Sequence, residues 1–221
     1  MTGYNSLTSY GGASVKIPDY NGASIVHLPE MIRGLFTGDM SSGSKNLLPA
    51  GIDLQMIDQV IFVLVDGFGL AQWQKYQNEI RVLDAFEKGG SMDPIDTVFP
   101  SSTPVALTTL YSDGQSPATH GLVDWWMYEP SVDEVIVTLP FKLRGATEMD
   151  SLQDTGLTKE TLYKGETLFE TMALNNIKSS FYINKQYVSS TYSQAITKGS
   201  VVVGYDTAVD LFGCLAEQVN G

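Results

Sequence analysis

Two short segments of the sequence combine chemically capable side chains with turns that can present them. The first contains Asp66, which directly follows the apolar, β-branched run Val60–Val65. Such a run is typical of a parallel strand buried on both faces, and open α/β sheets bind ligands at the carboxyl ends of their strands. A carboxylate fixed there suits a divalent cation. Asp66 is therefore a candidate metal ligand, with a cap on the helix predicted to follow as the alternative.

The turn after Asp66 also permits interpretation as a dinucleotide-binding loop. Gly67 and Gly69 supply two of the three glycines of that fingerprint, whereas Gln72 stands at the third position. The carboxylate of Asp66 would in addition repel a pyrophosphate. The metal-ligand and helix-cap interpretations of Asp66 are therefore favoured.

The second segment is a hydroxyl-rich turn, Pro100–Thr103, between a predicted strand and a predicted helix. Proline is favoured at the first helical position, so Pro104 makes Thr103 the expected N-cap. A hydroxyl there faces free backbone N–H groups and the positive end of the helix dipole, which together favour an anion or an alkoxide. Thr103 is a candidate nucleophile for phosphoryl transfer, with a purely structural cap as the alternative.

Strands and helices alternate along the chain, which predicts an α/β fold with a mainly parallel central sheet flanked by helices. Residues 1–20 are rich in Gly, Ser and Tyr and are predicted to be irregular. The predicted strands are Val60–Val65, Ile95–Phe99, Val135–Leu139, Ser179–Ile183 and Ser200–Gly204. The predicted helices are Ser24–Phe36, one from Leu70, Val82–Lys88, Pro104–Tyr111, Thr167–Asn175 and Thr207–Val219.

The composition limits the classes of partner. Lys and Arg total 13 against 25 Asp and Glu, a net charge of −12. Binding to nucleic-acid polymers or anionic membranes needs a basic face, so neither is expected. The N-terminal residues lack the basic and apolar regions of a signal peptide, and no apolar run reaches membrane-spanning length. We expect a cytoplasmic protein with a small-molecule partner. Cys214 is the single cysteine, so no internal disulfide can form.

The order of three motifs resembles the type I phosphodiesterase/nucleotide pyrophosphatase family of the alkaline phosphatase superfamily. An apolar strand leads into Asp66-Gly-Phe-Gly69, then come Phe99-Pro-Ser-Ser-Thr103 and Ser116-Pro-Ala-Thr-His-Gly121. Weaker similarity to members of this superfamily extends over Ile17–Ile25 and two later segments. The resemblance implies an alkaline-phosphatase-like fold.

The resemblance also assigns roles to residues. It implies that Asp66 is a metal ligand, and that Thr103 is the nucleophile and touches a metal through its hydroxyl. Ser102 is the alternative nucleophile, because one extra residue before Asp113 leaves the alignment uncertain by one position. His120 corresponds to a structural His-Gly turn rather than to a ligand. Two divalent metal ions, zinc by preference, are implied as cofactors.

The implied function is hydrolysis of phosphodiester or pyrophosphate bonds in nucleotide-type substrates through a phospho-threonine intermediate. One alternative is a phosphomonoesterase, sulfatase or phosphonate hydrolase of the same superfamily. Sulfatases use a modified Cys or Ser as nucleophile, so Thr103 disfavours that branch. The other alternative is a truncated or degenerate domain without catalytic activity.

The sequence departs from the family pattern in two ways. Trp125 stands where the family commonly places a phosphate-binding asparagine. Trp125, Trp126 and Tyr128 are a candidate surface on which a base stacks, with packing in the core or in an interface as the alternative. The downstream histidine-bearing metal motifs are absent, since His27 and His120 are the two histidines present. We interpret residues 1–221 as the truncated N-terminal part of a single alkaline-phosphatase-like catalytic domain, and we expect these residues alone to be inactive.

Overall fold

The computed structural model describes residues 7–10 and 13–220 of the chain, and the side chains of residues 17–219. The helices in this part are α1 (Leu28–Thr37), α2 (Ser42–Lys45), α3 (Leu70–Tyr76), α4 (Arg81–Gly89), α5 (Thr103–Tyr111), α6 (Pro117–His120), α7 (Lys159–Leu162), α8 (Leu168–Leu174), α9 (Thr191–Ile196) and α10 (Ala208–Asn220). The strands are β1 (Leu7–Tyr10), β2 (Ala13–Lys16), β3 (Trp126–Glu129), β4 (Glu134–Val137), β5 (Lys142–Leu143), β6 (Ser180–Asn184) and β7 (Val201–Tyr205).

The described strands form three small sheets. β1 and β2 make an antiparallel pair, β3, β4 and β5 an antiparallel meander, and β6 pairs with β7 in parallel, with α9 in the connection between them. The predicted mixture of strands and helices is thus confirmed. The predicted mainly parallel central sheet is not formed by the residues described, because their ladders are antiparallel except for β6–β7.

The apolar run Val60–Val65 differs most from its prediction as a strand covered on both faces. It belongs to no strand and makes no backbone hydrogen bond with another described residue. The side chains of residues 61–65 are 40–62% exposed. A central parallel strand requires ladder partners on both sides and helices above and below. The described residues provide neither for this run, so its local β-propensity does not produce a strand.

The N-terminal region also differs from its prediction. Residues 1–20 were expected to be irregular, yet β1 and β2 pair in register from Leu7 opposite Lys16 to Tyr10 opposite Ala13. Residues 1–6, 11, 12 and 221 lie outside the described part of the chain.

The predicted helices agree with the structure apart from their ends. α1 begins at Leu28 rather than Ser24, after a 3-10 turn at Ile25–His27. Pro29 occupies the first turn of α1, where its missing N–H costs no intrahelical hydrogen bond. Within residues 13–220, no helix has the length and apolar character needed to cross a bilayer. Ile95–Phe99, predicted as a strand, forms a single parallel bridge between Asp96 and Ser24.

Helix α5 lies at the centre of the main hydrophobic core. None of its nine residues is exposed. Val105 and Leu110 belong to a buried cluster to which β4, α8 and α9 also contribute side chains. Tyr111 at the end of α5 stacks on Phe169 with ring centroids 5.6 Å apart, and the edge of Phe181 lies 5.1 Å away. Because α5 is apolar on nearly every side, the neighbouring elements pack around it.

The buried hydroxyl groups of α5 are paired across helices. The hydroxyl of Tyr192 in α9 donates to the carbonyl oxygen of Pro104 at 3.2 Å and lies 3.0 Å from Thr108 Oγ1. Burial raises the pKa of Tyr192 far above its usual value, so the hydroxyl stays protonated and remains a donor. These contacts attach α9 to the first turns of α5.

His120, the last residue of α6, supports α5. Its Nδ1 accepts the backbone N–H of Leu122 at 3.1 Å, and its Nε2 lies 3.1 Å from Thr109 Oγ1. The neutral tautomer with the proton on Nε2 satisfies both contacts. Burial lowers the pKa of His120 to about 4, which favours this neutral form. The interpretation of His120 as a structural support agrees with these contacts.

Helix α8 begins with a capping box that also ties two segments together. Thr167 Oγ1 accepts the backbone N–H of Glu170 at 3.1 Å, and the Glu170 carboxylate accepts the N–H of Thr167 at 3.0 Å. Thr167 Oγ1 in turn donates to the carbonyl oxygen of Lys198. The side chain of Thr167 is fully buried. If it were removed, water could not reach the site to replace the hydrogen bonds that its hydroxyl makes.

We expect Thr167→Ala to lower the free energy of unfolding by about 2 kcal/mol, because it removes an N-cap and a buried hydrogen bond together. Urea denaturation followed by circular dichroism measures this change. Thr147→Ala is the matched control, since Thr147 is exposed and lies outside any element. The control should stay within about 0.5 kcal/mol of wild type. Equal effects of the two substitutions would contradict the role of the cap.

The low pKa of His120 predicts a pH dependence of stability. The unfolded imidazole titrates near 6.5 and the folded one near 4, so the unfolded chain binds more protons between these values. The free energy of unfolding therefore falls as pH drops from about 6.5 to about 4. His120→Gln cannot ionise and should lose less stability than wild type over this window. Denaturant titrations of both proteins at several pH values measure the difference, and parallel curves would contradict the prediction.

Candidate active site

Thr103 lies in the first turn of α5. The helix begins at Thr103 itself, with Ser102 as N-cap and Pro104 in the second position. The predicted N-cap is thus wrong by one residue, because Pro104 is accommodated equally well one position further into the first turn. The functional expectation is unaffected, since the first turn carries the positive end of the helix dipole. The Ser102 side chain makes no cap hydrogen bond.

Asp66 lies in the turn between the exposed run Val60–Val65 and α3. Gly67 has φ 71°, a backbone conformation that favours glycine, and it reverses the chain directly after the carboxylate. The N-cap of α3 is Gly69, whose N–H is bonded to the side chain of Gln72 at 3.2 Å. Asp66 therefore does not cap α3, and the alternative interpretation of this residue as a cap is wrong.

The two candidate residues meet in space. Thr103 Oγ1 donates to Asp66 Oδ2 at 3.3 Å. This distance is long for a hydrogen bond between a hydroxyl and a carboxylate, so the contact orients the two groups more than it stabilises the fold. Asp66 is exposed and Thr103 half-buried, which leaves the oxygen pair open to a ligand.

Ser102, the alternative nucleophile, differs from Thr103 in accessibility. Its Oγ is buried and has no hydrogen-bond partner among the described residues. A hydroxyl that solvent does not reach is not positioned to attack a substrate from outside. The geometry thus favours Thr103 of the two neighbouring hydroxyls.

The electrostatic environment of Thr103 suits an anion. α5 is long enough to carry a dipole, and its first-turn N–H groups receive no cap from Ser102. Free N–H groups at a helix N-terminus bind phosphate-type oxygens. Thr103 Oγ1 therefore lies between a carboxylate, which attracts cations, and a helix end, which attracts anions.

The donor set covers only part of a metal centre. Asp66 and Thr103 offer two oxygen atoms of the type that a hard or borderline cation prefers. Within residues 13–220, no group of three or more His, Cys, Asp or Glu side chains is arranged to hold a metal ion. A four-coordinate zinc ion requires donors beyond these two. The described residues therefore do not fit a complete two-metal site.

The aromatic residues after the His-Gly turn are not part of the core. Trp126 and Tyr128 lie on one face of β3 and are 57% and 58% exposed, whereas Trp125 is half-buried. The hydroxyl of Tyr128 donates to Asp133 Oδ1 at 2.5 Å, which fixes the ring against the hairpin loop. No hydrogen bond or ring contact links these residues to Thr103 among those described.

Sequence reasoning missed two tyrosines that contact the segment carrying Thr103. The hydroxyl of Tyr20 accepts the backbone N–H of Phe99 at 2.9 Å, and that of Tyr192 donates to Pro104. No spacing rule connects either residue to the turn, because they lie 79 and 88 residues away in sequence from their partners. The similarity of Ile17–Ile25 to a superfamily lead-in segment is the one sequence signal that pointed to this region.

Comparison with known proteins assigns the chain to a family. Residues 60–213, more than half of the chain, match the model of the type I phosphodiesterase/nucleotide pyrophosphatase family. No curated protein and no solved structure matches the chain significantly. The matched range includes Asp66, Thr103 and His120, which are the residues of the three motifs described above. The chain belongs to the type I phosphodiesterase/nucleotide pyrophosphatase family of hydrolases.

Proposed function

We propose that the chain provides the nucleophile and one metal ligand of a hydrolase that cleaves phosphodiester or pyrophosphate bonds. The observation that carries this proposal is the contact between Thr103 Oγ1 and Asp66 Oδ2 at the N-terminus of α5. The substrate class is a small phosphate ester of the nucleotide type. Family membership supports the reaction class, and the open oxygen pair supports the assignment of roles.

In the proposed reaction, the Thr103 hydroxyl loses its proton to solvent as Oγ attacks phosphorus, and the leaving oxygen takes up a proton from solvent as its bond to phosphorus breaks. The phosphoryl group is then esterified to Thr103, and water attacks the same phosphorus to release phosphate or a phosphate monoester. The helix dipole and the first-turn N–H groups of α5 stabilise negative charge on the phosphoryl oxygens. The exposed carboxylate of Asp66 orients the Thr103 hydroxyl before attack.

The proposed cofactors are two divalent metal ions, with zinc preferred. Such ions, if bound, would supply Lewis-acid charge for phosphoryl transfer. Asp66 and the Thr103 hydroxyl are the proposed ligands from this part of the chain. Further donors are required, as the incomplete donor set shows, and the proposal leaves their source open.

The proposed partner is a small molecule. A net charge of −12 disfavours a nucleic-acid polymer, since it provides no basic face for the phosphate backbone. A nucleotide substrate is compatible with this charge, because metal ions provide the local positive field. The cytoplasmic location expected from the N-terminal sequence stays a prediction.

Two observations favour a second candidate, a non-catalytic domain. The described residues do not complete a metal site, and the apolar run that leads into Asp66 is exposed. A domain of this kind would bind a ligand or partner without turning it over. Turnover that depends on Thr103 separates the two candidates.

Substitution of the oxygen pair tests the proposal. In a preparation with measurable turnover, Thr103→Ala should abolish hydrolysis and leave zinc content nearly unchanged, because Asp66 remains. Asp66→Ala should lose both hydrolysis and zinc. Zinc content is measured by atomic absorption after gel filtration, and hydrolysis with a chromogenic diester.

Ser102→Ala is the matched control for Thr103→Ala and should retain turnover. Full activity of Thr103→Ala alongside an inactive Asp66→Ala would overturn the assignment of Thr103 as the nucleophile. Ser102 would then be the nucleophile to test. A wild-type chain that shows no turnover in the presence of zinc would favour the non-catalytic candidate for these residues.

Substrate preference separates the proposed reaction from its relatives. We expect p-nitrophenyl diesters and pyrophosphates to be hydrolysed faster than the monoester, and the sulfate ester not at all. The leaving alcohol is the same in all three esters of p-nitrophenol, so relative kcat/KM values report recognition of the phosphoryl group. A preference for the monoester would replace the proposal with phosphomonoesterase activity.

A further inference from the structure

A segment near the N-terminus runs alongside the strand-like stretch that leads to Thr103. We call residues 19–37 the strap. Three hydrogen bonds join Asp96 to backbone groups of the strap. Its N–H donates to the carbonyl oxygen of Ala23 at 2.7 Å, and its own carbonyl accepts the N–H of Ile25 at 2.9 Å. The carboxylate of Asp96 accepts the N–H of Asp19 at 3.1 Å. The strap thus forms a short parallel pairing across more than seventy residues of sequence.

The strap also reaches the last residue before the turn. The hydroxyl of Tyr20 accepts the N–H of Phe99 at 2.9 Å and lies 3.5 Å from the carbonyl oxygen of the same residue. The ring of Tyr20 packs against the main core, whereas the ring of Phe99 is 70% exposed. Tyr20 therefore fixes the backbone of Phe99 rather than its side chain.

The same strap contacts the opposite end of α5. Arg33 Nη1 donates to both carboxylate oxygens of Asp113 at 2.5 Å, and the two side chains are 23% exposed. Gly114 approaches the strap so closely that a Cβ at this position would lie 2.2 Å from the carbonyl oxygen of Val26. Charge pairing and backbone contact therefore secure the C-terminal end of α5, as Tyr20 secures the segment before its N-terminal end.

We propose that the strap positions the Thr103 hydroxyl, with Tyr20 and Arg33 as positioning residues that act through the backbone at the two ends of α5. This inference rests on the proposed function in that it takes Thr103 as the nucleophile. The strap lies outside the residues matched by the family model, 60–213. It is therefore a feature of this chain that the family match does not assign.

The physical basis is the precision that attack on phosphorus requires. A displacement of about 1 Å at a reacting group can reduce the rate by roughly a hundredfold. Three residues separate Phe99 from Thr103, and Ser101 among them is exposed. Pro100 and Ser102 are half-buried, and the hydrogen bond to the N–H of Phe99 adds a further fixed point at the start of the turn that leads into Thr103.

Tyr20→Phe tests the proposal, because it removes the hydroxyl and keeps the packed ring. We expect kcat on bis(p-nitrophenyl) phosphate to fall about tenfold, with KM changed less than twofold, since substrate contacts are intact. Tyr187→Phe is the matched control, because the Tyr187 hydroxyl makes no hydrogen bond with a described residue. The control should retain wild-type kcat.

A second readout does not require turnover. In Tyr20→Phe the Phe99 amide should exchange with solvent at least tenfold faster, and the Thr103 methyl and amide resonances should shift in NMR spectra. Neither change is expected in Tyr187→Phe. Arg33→Met should shift the same Thr103 resonances, and Arg33→Lys should restore them in part, because a lysine still pairs with Asp113.

The outcomes separate this inference from the proposed function. The positioning role would be overturned if Tyr20→Phe speeds amide exchange at Phe99 but changes neither kcat nor the Thr103 resonances. Full hydrolytic activity of Thr103→Ala, in a preparation with measurable turnover, would contradict the proposed function, and the Thr103 resonances would then decide the strap alone. If kcat fell equally in Tyr20→Phe and Tyr187→Phe, the cause would be a general loss of stability. That outcome would also overturn the inference.

Discussion

The rest of the structure depends on the burial of α5. No residue of this helix is exposed, so every neighbouring element either packs on it or pairs with one of its polar groups. α9 contributes Tyr192, α8 contributes an aromatic ring, and α6 contributes His120. A helix that is surrounded on all sides has a fixed axis. Its first turn, which carries Thr103, is consequently held on a rigid element rather than on a loop.

Rigidity of α5 alone does not define the candidate site, because the second oxygen of the pair comes from a region with little packing. Asp66 follows a run that makes no ladder, and the Asp66–Thr103 contact is long and exposed. Thr103 is therefore held by the packing of α5 in the core, whereas Asp66 is held by a glycine turn. In the proposed metal site, Asp66 is thus the ligand with less packing around it.

Local signals in the sequence predicted what local physics determines. Proline near the start of α5 and the glycine turn after Asp66 each act within a few residues, and the helices begin within a few residues of their predicted starts. The Val60–Val65 strand was wrong because a buried strand needs partners distant in sequence. Tyr20 and Tyr192 were missed for the same reason, since their contacts span 79 and 88 residues. The Asp66–Thr103 pair was found because family resemblance, unlike spacing, carries long-range information.

The exposed run has a consequence for the protein in concentrated solution. Residues 61–65 are apolar, uncharged and free of proline, the composition of segments that pair edge to edge between molecules. The net charge of −12 opposes such encounters by mutual repulsion, but that repulsion decays over roughly 10 Å at 0.1 M salt. Asp66 places one exposed charge directly after the run, and the net charge of the whole chain adds to its protection. Raised ionic strength therefore weakens the repulsion that keeps these segments of different molecules apart.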